Sequence, residues 1–223
     1  IHSKGLKFVL HIMRGIPRQA IDGNTTVKNS TARAVEIANL PDTCIWYGGL
    51  TGVNMTKAGS QEYYNSLFEL YAGWGVDYIK VDDIVFPYHA DEIEAVRKAI
   101  DQCGRPIVLS LSPEPAFIGN PKHLQENANL WRISGDFWDK WDALKLQLEL
   151  CRNWAPLVTE GHWPDADMLP LGRLNIRTEL QNHPERWTNF TKDESYFLMT
   201  LWAIFRSPLM FGGHLPQNDD FTL

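Results

Sequence analysis

Along this 223-residue chain, apolar strand-like runs alternate with amphipathic helical stretches, and the runs repeatedly end in acidic or polar residues. Repeated strand–helix units of this kind build a parallel sheet with helices covering it, an α/β architecture. Six strands are expected: Leu6 to Met13, Val76 to Val81, Pro106 to Leu111, Leu130 to Ile133, the segment ending His162 to Asp167, and Pro208 to Phe211. The second, third and sixth are near-continuous apolar runs, as parallel strands buried on both faces should be. Helices are expected over Lys57 to Trp74, Asp91 to Gln102, Phe137 to Asn153 and Asp193 to Phe205. In the first of these, Tyr63, Leu67, Leu70 and Tyr71 fall on one face. The stretch after the first strand reads as irregular.

Composition narrows the function classes. With 44% hydrophobic and 12% aromatic residues, the chain has enough apolar side chain for one sizeable core. A net charge of −6 with no run of Lys or Arg argues against nucleic acid as a partner. The longest apolar stretches, such as Phe197 to Phe205, are too short to span a bilayer, so no membrane partner is expected. Cys44, Cys103 and Cys151 contain no CxxC pair, and no zinc or disulfide framework follows from them. Sequons begin at Asn24, Asn29, Asn54 and Asn189, which matters only in a eukaryotic secretory pathway.

In parallel α/β barrels, functional groups gather at the C-terminal ends of the strands. Three segments place carboxylates there. Asp77-Tyr78-Ile79-Lys80-Val81-Asp82-Asp83 puts Lys80 and Asp82 on one side of a strand, with Val81 on the other. A carboxylate beside an ammonium stays ionised, which suits a nucleophile. A buried ion pair, or a Schiff-base Lys80, fits the same residues. In Trp131-Arg132-Ile133-Ser134-Gly135-Asp136, a strand turns through Gly135 and presents Asp136 beside Phe137, Trp138 and Trp141. Apolar surroundings would make Asp136 a general acid, although the residues taken alone favour an N-cap on the following helix. The third segment is Gly161-His162-Trp163-Pro164-Asp165-Ala166-Asp167-Met168-Leu169-Pro170. Its aspartates could orient sugar hydroxyls while Trp163 stacks on a sugar face. Metal ligation by His162, Asp165 and Asp167, or a plain Asp/Pro turn, competes with that reading. His11 reads as a core or rim histidine and Ser112 as a loop-capping hydroxyl, and no Gly-x-Ser-x-Gly elbow supports a Ser-His-Asp triad.

In this order, the segments resemble the melibiase-type α-galactosidases and α-N-acetylgalactosaminidases of glycoside hydrolase family 27, with the resemblance spanning nearly the whole chain. Gly5-Leu6-Lys7-Phe8 resembles that family's third barrel strand, and Trp74-Gly75-Val76-Asp77-Tyr78-Ile79-Lys80-Val81-Asp82 its fourth. Trp131 to Asp136 resembles the sixth-strand motif, and Trp163 to Leu169 the seventh-strand signature. Leu201-Trp202-Ala203 and Ser207-Pro208-Leu209-Met210 resemble the approach to the eighth strand.

The resemblance implies a (β/α)₈ TIM barrel present as about strands 3 to 8, with residues 1–223 forming a partial catalytic barrel. The first two strands and a C-terminal β-sandwich are expected outside the chain. A chain of this sequence alone would then expose sheet edges and is expected to be inactive unless extended. It further implies a retaining exo-glycosidase for terminal α-D-galactosides, with Asp82 as nucleophile and Asp136 as acid/base. Retention needs these carboxylates close together, roughly 5 to 6 Å apart. Lys80, Arg132, Asp167, His11, Ser112, Trp163, Asp165 and Met168 become candidate sugar contacts, and the partner is carbohydrate. No cofactor or metal is implied. A secreted, periplasmic or lysosomal location follows from resemblance alone.

The chain also departs from the family pattern. His11 stands where the family has a Tyr contact, and Asp83 where an Asn commonly follows the nucleophile. Ser110-Leu111-Ser112-Pro113-Glu114 differs from the patterns that separate galactose from N-acetylgalactosamine. β-L-Arabinopyranosidase and α-N-acetylgalactosaminidase are therefore alternative activities, and a catalytically silent carbohydrate-binding barrel is the alternative from another class.

Overall fold

The computed structural model describes residues 1–116, 118–176 and 184–223. It divides into two compact units, Ile1–Trp131 and Arg132–Leu223.

The first unit is built on a parallel sheet. Strands β1 (Val9–Met13), β5 (Tyr78–Asp82), β6 (Val108–Leu111) and β7 (Leu130–Arg132, whose last residue falls in the second unit) lie side by side in that order. The register puts Met13 opposite Asp82, His11 opposite Lys80, and Lys80 opposite Ser110. These strands correspond to the first four expected ones; the first three begin two or three residues later than expected, and the fourth ends one residue earlier.

Helix α3 (Ser60–Gly73) follows Gly59, whose φ is 95° and whose missing Cβ would lie 2.5 Å from the Ala32 side chain. A residue with that left-handed backbone cannot lie inside a right-handed helix, so the helix begins at Ser60 rather than Lys57. Gly75, at φ 77°, closes it as a left-handed C-terminal residue, donating its N–H to Ala72 O. Helix α4 (Ala90–Gln102) buries Ile93, Val96, Ala99 and Ile100, the face expected from their spacing. Along β5, Ile79 and Val81 are buried while Lys80 and Asp82 are partly exposed, so the alternation read from the sequence holds. Helix α5 (Pro121–Asn127) precedes β7.

The stretch after β1 is ordered, contrary to the irregular segment expected. Strands β2 (Ile16–Pro17), β3 (Ala38–Thr43) and β4 (Leu50–Val53) form an antiparallel sheet in the order β2-β4-β3, with short helices α1 (Arg18–Asp22) and α2 (Ala34–Ile37) between β2 and β3. Its strands have only two to six residues and lack long alternation, so the sequence pattern does not reveal them.

Asp77 lies at the opposite end of β5 from Asp82. It accepts hydrogen bonds from the Phe8 N–H (2.8 Å) and Arg105 Nη2 (2.6 Å) and pairs with His2 at 2.7 Å. The Phe8 N–H, then His2 and Arg105, hold its carboxyl well below the usual range despite desolvation. This carboxylate ties together the N-terminal side of the sheet, the side associated with stability in such folds.

The second unit holds β8 (Trp163–Asp165), an antiparallel ribbon of β9 (Arg173–Leu174) and β10 (Arg186–Trp187), and helices α6 (Trp141–Trp154) and α7 (Lys192–Phe205). Helix α7 carries a capping box: Thr191 Oγ1 accepts from the Glu194 N–H at 3.2 Å and the Glu194 carboxylate accepts from the Thr191 N–H at 2.8 Å.

Two expectations fail in this unit. Helix α6 starts at Trp141 rather than Phe137, so Asp136 is not its N-cap; Lys140 holds that position. Residues before the helix are committed elsewhere: the Phe137 N–H donates to Asp167, and the Asp139 carboxylate takes a two-pronged hydrogen bond from Arg186. The expected strand Pro208 to Phe211 is reduced to a single parallel bridge between Leu169 and Phe211. Pro208 has no N–H to give a ladder, and the Met210 N–H turns back to Pro208 O at 3.2 Å.

Candidate functional site

In the first unit the expected residues converge on Asp82, the last residue of β5. His11 Nε2 lies 2.9 Å from Asp82 Oδ2, and the Asp83 N–H donates to Oδ1 at 2.9 Å. Ser112, buried just beyond β6, places its hydroxyl 3.5 Å from Oδ1, at the outer limit of a hydrogen bond. Burial works to raise the Asp82 pKa, but the His11 hydrogen bond, the Asp83 N–H and the charges of His11 and Lys80 outweigh it. The net effect lowers it. Such a carboxylate is ionised at neutral pH.

The close partner of Asp82 is therefore His11 rather than Lys80. Lys80 shares its face of β5 but acts through charge at longer range. The His11 side chain is 56% exposed, which makes it a rim histidine. His11 and Asp82 line a groove of about 600 Å³, which Trp46, Tyr47, Tyr63 and Leu50 also line. That volume lies within the range of small-molecule sites.

In the second unit Arg132, Asp136 and Asp167 come together. Arg132 Nη1 pairs with Asp167 Oδ1 at 2.9 Å, while its Nη2 donates to Gly135 O (2.6 Å) and to Asp136 Oδ1 (3.4 Å). Asp136 itself is 73% exposed, so Phe137, Trp138 and Trp141 do not enclose it as expected. Phe137 instead turns inward against Phe190 and Trp202.

Asp167 is held on every side. Its N–H donates to Asp165 Oδ1 at 2.8 Å, its Oδ2 accepts from the Phe137 N–H at 2.8 Å, and its carbonyl accepts from Trp202 Nε1 at 3.0 Å. Its φ of 76° is left-handed, a conformation that Asp tolerates better than most residues. Asp165 is fully buried, whereas Trp163 and Met168 are half-buried. The metal reading of this turn finds no support, because Asp167 is engaged by Arg132 and the Phe137 N–H. A separate groove of about 390 Å³, lined by Leu169, Trp187, Phe190, Tyr196 and Phe221, contains neither Asp136 nor Asp167.

Sequence reading misses one group altogether. Arg14, 3% exposed, bonds to Asp42, Asp83 and Glu92, residues 28 to 78 positions away. Asp42, His89 and Glu92 also lie close enough to share an ion, but the Arg14 guanidinium already occupies both carboxylates. No local motif signals a cluster assembled from β1, β3, β5 and α4.

Comparison with known proteins identifies the family. Residues 47–220 match the family model described as Alpha galactosidase A. Alpha-galactosidase 2 of Arabidopsis thaliana is 27% identical over 180 residues, covering 78% of this chain and 41% of the relative. The alpha-N-acetylgalactosaminidase of Mus musculus is 31% identical over 169 residues, covering 68% and 37%. A crystal structure of a family 27 β-L-arabinopyranosidase from Geobacillus stearothermophilus, in complex with arabinose, is 54% identical. It superposes with a TM-score of 0.95 over 99% of this chain and 52% of that one. The chain thus spans about half the length of that structure and about two-fifths of these curated relatives. The (β/α)₈ barrel of these enzymes is the fold from which the present segment is drawn. The chain belongs to the alpha-galactosidase A family, glycoside hydrolase family 27.

Proposed function

We propose that the protein carrying this chain is a retaining exo-glycosidase acting on sugars with galactose ring stereochemistry, with Asp82 as nucleophile and Asp136 as acid/base. The observation that carries this reading is the state of Asp82: a carboxylate at the C-terminal end of a parallel strand, kept ionised by His11 and the Asp83 N–H, on an open groove. A glycosidase nucleophile needs that state.

In the first step the Asp136 proton passes to the glycosidic oxygen as an Asp82 oxygen bonds to the anomeric carbon, and the aglycone leaves as an alcohol. In the second, Asp136 takes a proton from water, which displaces Asp82 and restores the starting anomer. The exposure of Asp136 suits a group that exchanges protons with a leaving group and then with water. His11, Lys80, Arg132, Asp167, Ser112, Trp163 and Met168 are the groups assigned to holding the sugar, whereas Asp165, fully buried and bonded to the Asp167 N–H, supports Asp167 instead of touching the sugar.

Two substrates follow from different observations. The motif order points to terminal α-D-galactosides. The 54% identity to a β-L-arabinopyranosidase favours β-L-arabinopyranosides, which share that ring stereochemistry without the C6 hydroxymethyl. The test is turnover of aryl α-D-galactoside, α-N-acetylgalactosaminide and β-L-arabinopyranoside by the intact protein, with the first-formed anomer identified by proton NMR. The proposal expects the starting anomer and no turnover after Asp82→Asn. An inverted product or an active Asp82→Asn variant would overturn it.

A further inference from the structure

Arg14 follows β1 immediately and donates its N–H to the carbonyl of Asp82 at 2.9 Å. Its side chain then turns inward. Nε donates to Asp83 O at 2.5 Å, and Nη2 donates to Asp83 Oδ2 at 3.0 Å. The guanidinium therefore grips Asp83 by backbone and side chain together. Its remaining donors go to Asp42 (2.8 and 2.9 Å) and to Glu92 Oε1 (2.7 Å). Glu92 Oε2 is in turn bonded by the Tyr64 hydroxyl. The fork is thus fixed from β3 and α4 as well as from β5, which only a planar, five-donor group can satisfy.

Glycine makes room for this arrangement at two places. A Cβ on Gly52 would fall 2.1 Å from Asp42 Oδ2 and 2.6 Å from Arg14 Nη1. Gly15, at φ 89°, would bring a Cβ within 2.2 Å of Thr51 O.

Asp83 is the residue being gripped, and its φ is 60°, in the left-handed region. In that conformation its N–H donates to Asp82 Oδ1 at 2.9 Å. We propose that Arg14 is a positioning residue for the nucleophile: by holding the Asp82 carbonyl with its own N–H and Asp83 with its guanidinium, it fixes the peptide plane between them, keeps the Asp83 N–H on the Asp82 carboxylate and so fixes the rotamer from which Asp82 attacks. Arg14 touches no reacting atom in this role. The inference rests on the assignment of Asp82 as nucleophile.

The groups facing Asp82 are His11 from β1, Lys80 on its own strand, Ser112 beyond β6 and the Asp83 N–H. Behind Asp83 stand Arg14, Asp42, Glu92 and His89. Burial works against the Arg14 charge, but Asp42 and Glu92 more than offset this and keep the guanidinium protonated. A flip of the Asp82–Asp83 peptide plane would relieve the positive φ of Asp83 and turn its N–H away from Asp82, and the Arg14 grip on both sides of that plane opposes the flip.

The experiment compares kcat/KM against pH for the intact protein and for Arg14→Lys, Asp83→Ala, Asp83→Gly and the Arg14→Lys/Asp83→Ala double variant. Lysine keeps a charge in the cluster but cannot hold the Asp83 carbonyl and carboxylate together. Alanine resists positive φ, whereas glycine adopts it freely and keeps the N–H. We expect Arg14→Lys and Asp83→Ala each to lower kcat/KM by about ten- to hundredfold, as for loss of a hydrogen bond to a charged group, and to move the acid limb upward. Asp83→Gly should recover most of the loss seen with Asp83→Ala. The double variant should be little worse than either single one, because both act through the same N–H.

A purely structural Arg14 would lower the melting temperature and leave the acid limb in place, and that result would overturn the inference. So would equal activity of Asp83→Ala and Asp83→Gly. Asp82→Asn is measured alongside. If Asp82→Asn is inactive while the Arg14 and Asp83 variants match wild type, only the positioning role falls; if Asp82→Asn is active, the nucleophile assignment falls with it.

Discussion

Nη1 of Arg132 lies 2.9 Å from Oδ1 of Asp167, and neither side chain is more than 9% exposed. Arg132 ends β7, and Asp167 sits in the left-handed turn after β8, so one ion pair ties a strand end to the following strand's turn. Both were singled out from the sequence as sugar contacts. Their mutual pairing adds a structural duty to that role. Replacing Arg132 with Met should destabilise the intact protein by about 3–5 kcal/mol, because the buried Asp167 carboxylate loses its counter-charge. Chemical denaturation measures this, and a loss under ~1 kcal/mol would mean that water or another group replaces Arg132.

The His11 hydrogen bond predicts a pH effect with a definite sign. Asp82 is held below its ordinary value, so it stays ionised, and contributes to stability, until pH falls through that lowered value. Removing His11 raises the Asp82 pKa. His11→Ala should therefore shift the acid limb of kcat/KM to higher pH and reduce activity most at low pH. An unmoved limb would remove His11 from control of Asp82.

Asp136 should reveal its role through leaving groups. Asp136→Ala is expected to impair natural glycosides much more than aryl glycosides with good leaving groups, since protonation of the departing oxygen matters less for the latter. A comparison of kcat/KM across a series of phenols measures this, and equal loss on all of them would count against the acid assignment.

His89 supplies a stability prediction remote from catalysis. Desolvation, with the nearby Arg14 charge, lowers its pKa to about 4 from an ordinary value of 6.5. Above pH 6.5 it is neutral folded or unfolded and contributes nothing. Between 6.5 and about 4 the unfolded chain binds the proton first, so stability declines as pH falls. A His89→Gln variant should lose less stability than wild type across that window, as read from melting temperature against pH; parallel curves would refute it.

The sequence by itself determined the parallel α/β organisation, because apolar runs of strand length and helices of 3.6-residue period are local patterns. It also placed Asp82 correctly, since side-chain alternation within one strand separates Lys80 and Asp82 from Ile79 and Val81. It misjudged places where distant partners override local preference. Asp136 stands before α6 like a helix cap, but Asp167 and Arg186 draw the intervening residues out of the helix. Pro208 to Phe211 is apolar enough for a strand but cannot supply a ladder of N–H groups. Only the tertiary structure paired His11 with Asp82, Arg132 with Asp167, and Arg14 with three carboxylates. These contacts join positions between 28 and 78 residues apart, and no sequence period carries information over such separations; only the register and packing of the folded elements do.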